Sequence, residues 1–140
     1  MKYIFMIFIV VVGLLNSKEV AIVKSINGNV FAKLDTTNIK LRDGDSLNEH
    51  MIVRTQSNSG ITILFNDDSS LVLGSNSIIN IEKYLFNKAD KEYDFVLFLE
   101  KGTASFESGD IGEKSPESFI FKTPEGTVAI RGTKFLVKVK

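Results

Sequence analysis

The 140-residue sequence contains no cysteine and a single histidine, and each scarcity argues against a class of protein. Without cysteine the chain forms no disulfide framework and carries no lipidated cysteine. The lack of cysteine and the single histidine together also argue against a zinc centre. The fold therefore depends on the burial of apolar side chains alone.

A net charge is also missing, because 17 basic residues balance 17 acidic ones. Such a chain creates no field that would attract nucleic acid, so we expect no nucleic-acid partner. A hydrophobic content of 44% supports a packed core. The length suffices for one domain, since domains most often contain about 100 to 150 residues.

Residues 1–17 have the pattern of an export signal. Lys2 supplies the positive charge, an apolar run extends from Ile4 to Leu15, and a small residue, Ser17, precedes Lys18. We therefore expect cleavage after Ser17, a mature domain of residues 18–140, and a location in the bacterial periplasm or outside the cell. An uncleaved membrane anchor is the alternative because Leu15 is large for its position, although a spanning helix needs about 20 apolar residues.

From Glu19 onward the sequence predicts an all-β domain of short strands. Asn27-Gly28, between Val20–Ile26 and Asn29–Leu34, is a strong hairpin signal. In Ile61–Phe65 alternate residues are apolar, so one face of that strand should be buried before the chain turns into Leu71–Leu73.

The second half of the chain continues this pattern. Phe95–Leu99 is apolar on both faces and predicts a central strand, after which Lys101-Gly102 should turn into Thr103–Phe106. In the terminal strand one face carries Phe135, Val137 and Val139, and the other carries Lys134, Lys138 and Lys140, a lysine row suited to guarding a sheet edge. Leu85–Tyr93 and Ser108–Ser118 should be exposed loops.

The tetrapeptide Gly44-Asp45-Ser46-Leu47 matches the signature of the GDSL esterases, in which the serine is the nucleophile. A serine nucleophile needs a base, and the single histidine, His50, lies four residues away in the same segment. Asp43-Gly44-Asp45 is instead typical of a chain reversal. We therefore expect a turn here and a protein without catalytic activity.

Two clusters of oxygen-bearing side chains suggest weak Ca²⁺ binding as an alternative to plain solvated turns. One cluster is Asp43, Asp45, Asn48 and Glu49, and the other is Asn66, Asp67 and Asp68. Neither cluster has the complete loop of a calcium hand. The sequence thus predicts no metal site and no cofactor.

The segment Phe121–Lys140 surrounds one arginine with strand residues, a proline and two glycines. Pro124 should interrupt strand pairing because proline donates no backbone hydrogen bond. Thr127, Ala129, Arg131 and Thr133 share one face, so small side chains leave room around the guanidinium. Arg131 then either ties turn carbonyls together or meets an acidic group or backbone of a partner.

With Thr123, Pro124, Arg131, Gly132 and Thr133, this segment resembles the ending of the FecR domain, a family of extracytoplasmic β-rich sensing and interaction modules. Ser25–Leu34, Leu41–Tyr84 and Leu99–Gly109 resemble its opening strand, its middle block and its glycine-turn hairpin, in that order. Asp67-Asp68-Ser69-Ser70 departs from the usual acidic residue, Gly and Ser, and Ala129 from a frequent Gly.

This resemblance implies a coiled β-roll or solenoid, whereas the residues alone leave a β-sandwich equally open. It also implies a non-catalytic module that contacts a protein partner in the cell envelope. A small secreted hydrolase or carbohydrate-acting protein is the alternative function. No small-molecule substrate is evident, and membrane contact is expected only if residues 1–17 stay attached.

Overall fold

The computed structural model of the protein describes residues 18–128 and 134–140. Within them, twelve β-strands account for most of the chain and are numbered in sequence order. They are β1 (Glu19–Asn27), β2 (Val30–Leu34), β3 (Thr37–Lys40), β4 (Ser46–Asn48), β5 (Ile52–Thr55), β6 (Gly60–Phe65), β7 (Ser70–Leu73), β8 (Ile78–Asn87), β9 (Glu92–Glu107), β10 (Phe119–Thr123), β11 (Gly126–Val128) and β12 (Lys134–Val139).

The strands form one continuous sheet that curls into a half-barrel. Its order is β3-β2-β5-β8-β9-β7-β6-β1-β4, with β10 and β12 also paired to β9 and β11 paired to β10. The β9–β10 pair is parallel, and the other described pairs are antiparallel. The all-β prediction is therefore confirmed, with a curled roll of strands rather than two separate sheets.

Strand β9 joins the two halves of the sheet. Its first part pairs with β8 and β10, and its last part pairs with β7 and β12. The predicted turn at Lys101-Gly102 is wrong, because the strand continues through both residues. Gly102 lies within this strand with φ 99°, and a Cβ at this position would overlap Ser77. Phe95–Leu99 is the predicted central strand, with every residue buried except the half-buried Phe98.

The core is a single apolar cluster on the inner surface of the curled sheet. Ile61, Ile63 and Phe65 lie in it as the alternation predicts, each at most 2% exposed. Aromatic rings fill its centre, with Phe95 contacting Phe65, Phe106 and Phe119 at ring distances of 4.8 to 5.9 Å. Such large buried side chains supply the burial that a chain without disulfides needs.

The turn at Asn27-Gly28 does not close a hairpin, contrary to the prediction. β1 pairs with β4 and β6, while β2 pairs with β3 and β5, so the two strands enter different halves of the sheet. Gly28 has φ 77°, and a Cβ there would collide with Asn58 and Ser59. The glycine thus allows the chain to cross close to a neighbouring loop.

Both predicted exposed loops contain regular structure. Strand β8 pairs with β9 along its length, from Ile78 opposite Lys101 to Asn87 opposite Glu92. Only residues 88–91 form a turn, where the loop Leu85–Tyr93 was predicted. Residues Ser108–Ser118 contain helix α1 (Asp110–Lys114) and a 3-10 turn, and Ile111 is fully buried. Helix α1 buries one apolar side chain, Ile111, among polar residues. One residue cannot produce the repeating apolar pattern by which a helix is predicted from a sequence. No helix within the described ranges is long and apolar enough to cross a membrane.

Candidate interaction surface

Thr123 and Pro124 lie where the sequence placed a break in strand pairing. β10 ends at Thr123, and β11 begins after the Pro124-Glu125 turn, which is exposed. The Thr123 hydroxyl donates to the Gly126 carbonyl at 3.0 Å, and the Glu125 N–H donates to that hydroxyl at 3.2 Å. Thr123 therefore fixes an exposed turn.

The other three predicted residues, Arg131, Gly132 and Thr133, lie outside the described residues, and their roles remain predictions.

The GDSL tetrapeptide lies in a turn that leads into an edge strand. The carboxylate of Asp43 accepts a hydrogen bond from the Ile26 N–H at 2.9 Å, and that of Asp45 accepts one from the Arg42 N–H at 2.8 Å. The Asp45 N–H also donates to the Arg42 carbonyl at 3.1 Å, so two bonds between these residues close the turn and confirm the turn interpretation. The Asp43 bond joins this turn to the end of β1.

Ser46 and His50 make separate contacts. The Ser46 hydroxyl donates to the Glu19 carboxylate at 2.5 Å, whereas His50 Nε2 lies 3.8 Å from Glu49. No hydrogen bond joins the two side chains in the described part of the chain. Ser46 is therefore bonded to a carboxylate and not to the histidine that the esterase signature would require.

The second acidic turn is not solvated as the sequence suggested, because Asp67 is 1% exposed. Its Oδ1 accepts hydrogen bonds from the Ser69 hydroxyl at 2.6 Å and the Tyr84 hydroxyl at 3.0 Å. Its Oδ2 accepts the N–H of Ile111, the buried residue of α1, at 3.0 Å. We call Asp67, Ser69, Tyr84 and Ile111 the Asp67 cluster; it ties the β6–β7 turn to β8 and to α1.

Further bonds complete the Asp67 cluster. The Asp67 N–H donates to the Tyr84 hydroxyl at 2.8 Å, and the Asp110 N–H donates to the Asp67 carbonyl at 2.8 Å. Burial, and then the neighbouring Asp67 carboxylate, raise the pKa of Tyr84 well above its usual value. Tyr84 therefore stays protonated and donates its hydroxyl to the carboxylate at every physiological pH.

The polar side chains of the Asp67 cluster complete their hydrogen bonds within the protein. No buried side-chain nitrogen or oxygen within the described residues lacks a hydrogen-bond partner. The same part of the chain contains no group of three acidic or histidine side chains that could hold a metal ion. Asp68, in the adjacent position, adopts φ 70°, a conformation that favours glycine.

The outer face of β12 is the clearest candidate for an interaction surface. Leu136 is 70% exposed, more than any other large hydrophobic side chain in the described ranges. It lies opposite Ser105 of β9, which lies opposite Val72 of β7, so the three residues form a row across the sheet. Exposed Lys134 and Lys138 flank Leu136. We call these five residues the terminal-strand face.

The inner face of β12 holds the strand in place. Phe135, Val137 and Val139 are partly buried against the core, as the alternation predicts. The Phe135 ring packs edge-on against Phe121 at 5.4 Å and lies 5.6 Å from Phe106. Within the described residues β12 pairs with β9 alone. The strand thus presents Leu136 to solvent on a rigid support.

Strand β12 also lies within the region by which the protein family is identified. A family model described as FecR protein matches residues 51–140, which is most of the chain. The chain belongs to the FecR family. Neither the curated proteins nor the solved structures gave a significant match. The FecR family acts in signalling and sensing in the cell envelope, and its domain is a regulatory signalling domain.

The FecR match covers β5 to β12 and therefore contains both the Asp67 cluster and the terminal-strand face. Sequence reasoning identified the lysine row of β12 but missed the Asp67 cluster. The sequence contains one sign of the cluster, since Asp67 stands two residues before Ser69 in a turn between two apolar strands, a spacing at which the two side chains can form a hydrogen bond. Its partners, Tyr84 and Ile111, are 17 and 44 residues away, and no local pattern reveals such distances.

Proposed function

We propose that the protein is an exported, non-catalytic FecR-domain module that binds a protein partner in the bacterial cell envelope. The family supplies the setting, since FecR proteins act in envelope signalling together with protein partners. The single observation that carries the binding role for this chain is the terminal-strand face, where an apolar side chain is exposed on a rigid strand.

Export follows in this proposal from residues 1–17, which have a charged start, an apolar run and a small residue before Lys18. The mature protein would begin at Lys18 and reside in the periplasm or outside the cell. The mass of the exported protein tests this proposal, because a retained Met1 would indicate an anchor.

The proposed partner contacts Leu136 with an apolar side chain and the flanking lysines with carboxylates. Fully burying a leucine contributes about 1.5 to 3 kcal/mol, enough to anchor a small interface. Lys138 lies opposite Thr103, an uncharged neighbour, whereas Lys134 lies opposite Glu107 and is partly compensated. The like charges also disfavour pairing of β12 with a second copy of itself, so the same lysines select an acidic partner.

Photo-crosslinking in the native cell envelope tests this surface. A photoreactive residue at position 136 should capture a defined partner, and the same probe at position 39 should not. Ile39 is a matched control because it is a hydrophobic residue, 42% exposed, on the edge strand β3 in the other half of the sheet. Equal capture from both positions would show that exposure alone, rather than the terminal-strand face, determines crosslinking.

A further inference from the structure

A second surface, distant in sequence from the terminal-strand face, combines concavity with positive charge. The β8–β9 turn and the end of helix α1 enclose an open concavity of about 480 Å³, lined by Lys88, Lys91, Tyr93, Lys114 and Ser115. We call these five residues the lysine pocket. Three of them are cations and none is an acid, in a chain whose total charge is zero.

The cations of the lysine pocket are incompletely compensated within the protein. Lys88 Nζ lies 3.7 Å from the Asp110 carboxylate, a partly exposed pair that contributes little. For Lys91 and Lys114, no ion pair is observed with any residue of the described ranges. Two ammonium groups are therefore available to an anion that enters the concavity.

Four acidic residues stand close to these two lysines in sequence, namely Asp90, Glu92, Glu113 and Glu117. None of them forms an ion pair with Lys91 or Lys114 within the described residues. The Asp90 carboxylate accepts a hydrogen bond from the Asn87 amide at 3.1 Å, and the Glu117 carboxylate accepts one from the Ser115 hydroxyl at 3.0 Å. These bonds do not remove the two negative charges, but they fix the carboxylates on groups other than the lysines. Within the described residues the pocket therefore keeps two ammonium groups, those of Lys91 and Lys114, that no ion pair engages.

The wall of the pocket is aromatic and fixed in place. The half-buried Tyr93 ring stacks on Phe86 at 6.0 Å with an angle of 30° between the planes. The turn between β8 and β9 is closed by hydrogen bonds from the Lys91 N–H to the Lys88 carbonyl and from the Asp90 N–H to the Asn87 side chain, each at 3.2 Å. Lys91 is thus presented by an ordered turn.

We propose that the lysine pocket binds a small anionic ligand whose carboxylate or phosphate meets Lys91 and Lys114 and whose ring-shaped body lies against Tyr93. The volume falls within the range of about 300 to 1,000 Å³ that small-molecule sites occupy. An anion recognised by two lysines and an aromatic ring has the chemistry of an acidic or phosphorylated sugar. The lysine pocket shares no residue with the terminal-strand face.

Amide chemical shifts of the mature chain, residues 18–140, test the proposal through titration with three probes. Glucuronate carries the carboxylate, glucose 6-phosphate carries the phosphate, and glucose is the neutral control. At least one anion should shift the amides of residues 88–93 and 114–115 in a saturable manner, and glucose should not. The anion that binds more tightly identifies the group that the pocket prefers.

The double variant Lys91→Ala/Lys114→Ala should weaken binding at least about tenfold, since it removes both ammonium donors that would bond to the anion. Lys33→Ala/Lys40→Ala is the matched control, because both lysines are exposed on β2 and β3, and it should leave the affinity unchanged. Unchanged amide spectra outside the pocket establish that each variant is folded.

Three results would overturn the proposal: no saturable shift with either anion, equal loss of affinity in the control variant, or equal binding of glucose. These outcomes are independent of the protein contact at β12. A chain that captures its partner through position 136 but binds neither anion would contradict the lysine pocket alone.

Discussion

The Asp67 cluster and the terminal-strand face use polar and apolar groups in opposite ways. In the cluster a charged side chain is buried and meets four hydrogen-bond donors. On the face an apolar side chain is exposed, and its lysine neighbours point away from the core. Groups whose interactions are completed within the chain determine stability, whereas groups whose interactions are left incomplete are available for binding.

This contrast predicts that the largest loss of stability follows from Asp67→Ala. The change leaves the Ile111 N–H and the Tyr84 hydroxyl without their acceptor, and each unpaired buried donor costs about 1 to 3 kcal/mol. We expect the free energy of unfolding to fall by about 3 to 5 kcal/mol in chemical denaturation. Asp68→Ala, at the exposed neighbouring position, is the control, and an equal loss there would show that the cluster has no special role.

Gly102→Ala should produce the next largest effect. An alanine at φ 99° is strained, and its Cβ would overlap Ser77, which together should cost about 2 to 4 kcal/mol. Gly44 has a similar φ of 88°, but no atom lies within 4 Å of the place that a Cβ would occupy, so Gly44→Ala should cost about 1 to 2 kcal/mol from strain alone. Comparison of the two unfolding midpoints separates crowding from strain, and equal losses would refute the close contact at Ser77.

Tyr84→Phe should have a smaller, pH-dependent effect. At neutral pH it removes the acceptor of the Asp67 N–H and one donor to the carboxylate, at a cost of about 1 to 3 kcal/mol. The pKa of Tyr84 is raised in the folded state, so its stabilising contribution is complete below the unfolded pKa near 10.

Above that pH the unfolded chain ionises at Tyr84 while the folded chain stays protonated, and stability falls. The wild type should therefore lose up to about 1.4 kcal/mol per pH unit more than Tyr84→Phe above pH 10, in denaturation measured at several pH values. Parallel pH profiles would indicate that the tyrosine titrates normally in the folded protein.

The sequence predicted the strands in which the pattern of apolar residues matches the buried faces of the structure. The alternation in β6, the apolar centre of β9 and the two faces of β12 required only the two-residue period of a strand. The hairpin predicted at Asn27-Gly28 was wrong, because this dipeptide indicates a turn but does not determine which strands pair on either side of it. The Asp67 cluster could not be predicted, since Ile111 reaches Asp67 only through the fold and the surrounding segment has the composition of a loop.

The terminal strand contains both sides of this contrast, because its inner face belongs to the core and its outer face does not. Leu136→Ser should leave the free energy of unfolding within about 0.5 kcal/mol of the wild type, as expected for a surface change. Phe135→Ala, on the inner face, should cost about 2 kcal/mol or more, since it removes an aromatic side chain from contact with Phe106 and Phe121. Equal losses in the two variants, measured by chemical denaturation, would show that the two faces do not differ.

The most direct test of the central claim is the crosslinking yield from a photoreactive residue at position 136, measured with and without Lys134→Glu/Lys138→Glu. We expect charge reversal to reduce capture of the envelope partner at least about tenfold, because carboxylates would then face carboxylates. The unfolding midpoint should fall only slightly, because Lys134→Glu places a like charge opposite Glu107 on an exposed face. Undiminished capture after charge reversal would contradict the claim that the terminal-strand face binds an acidic partner.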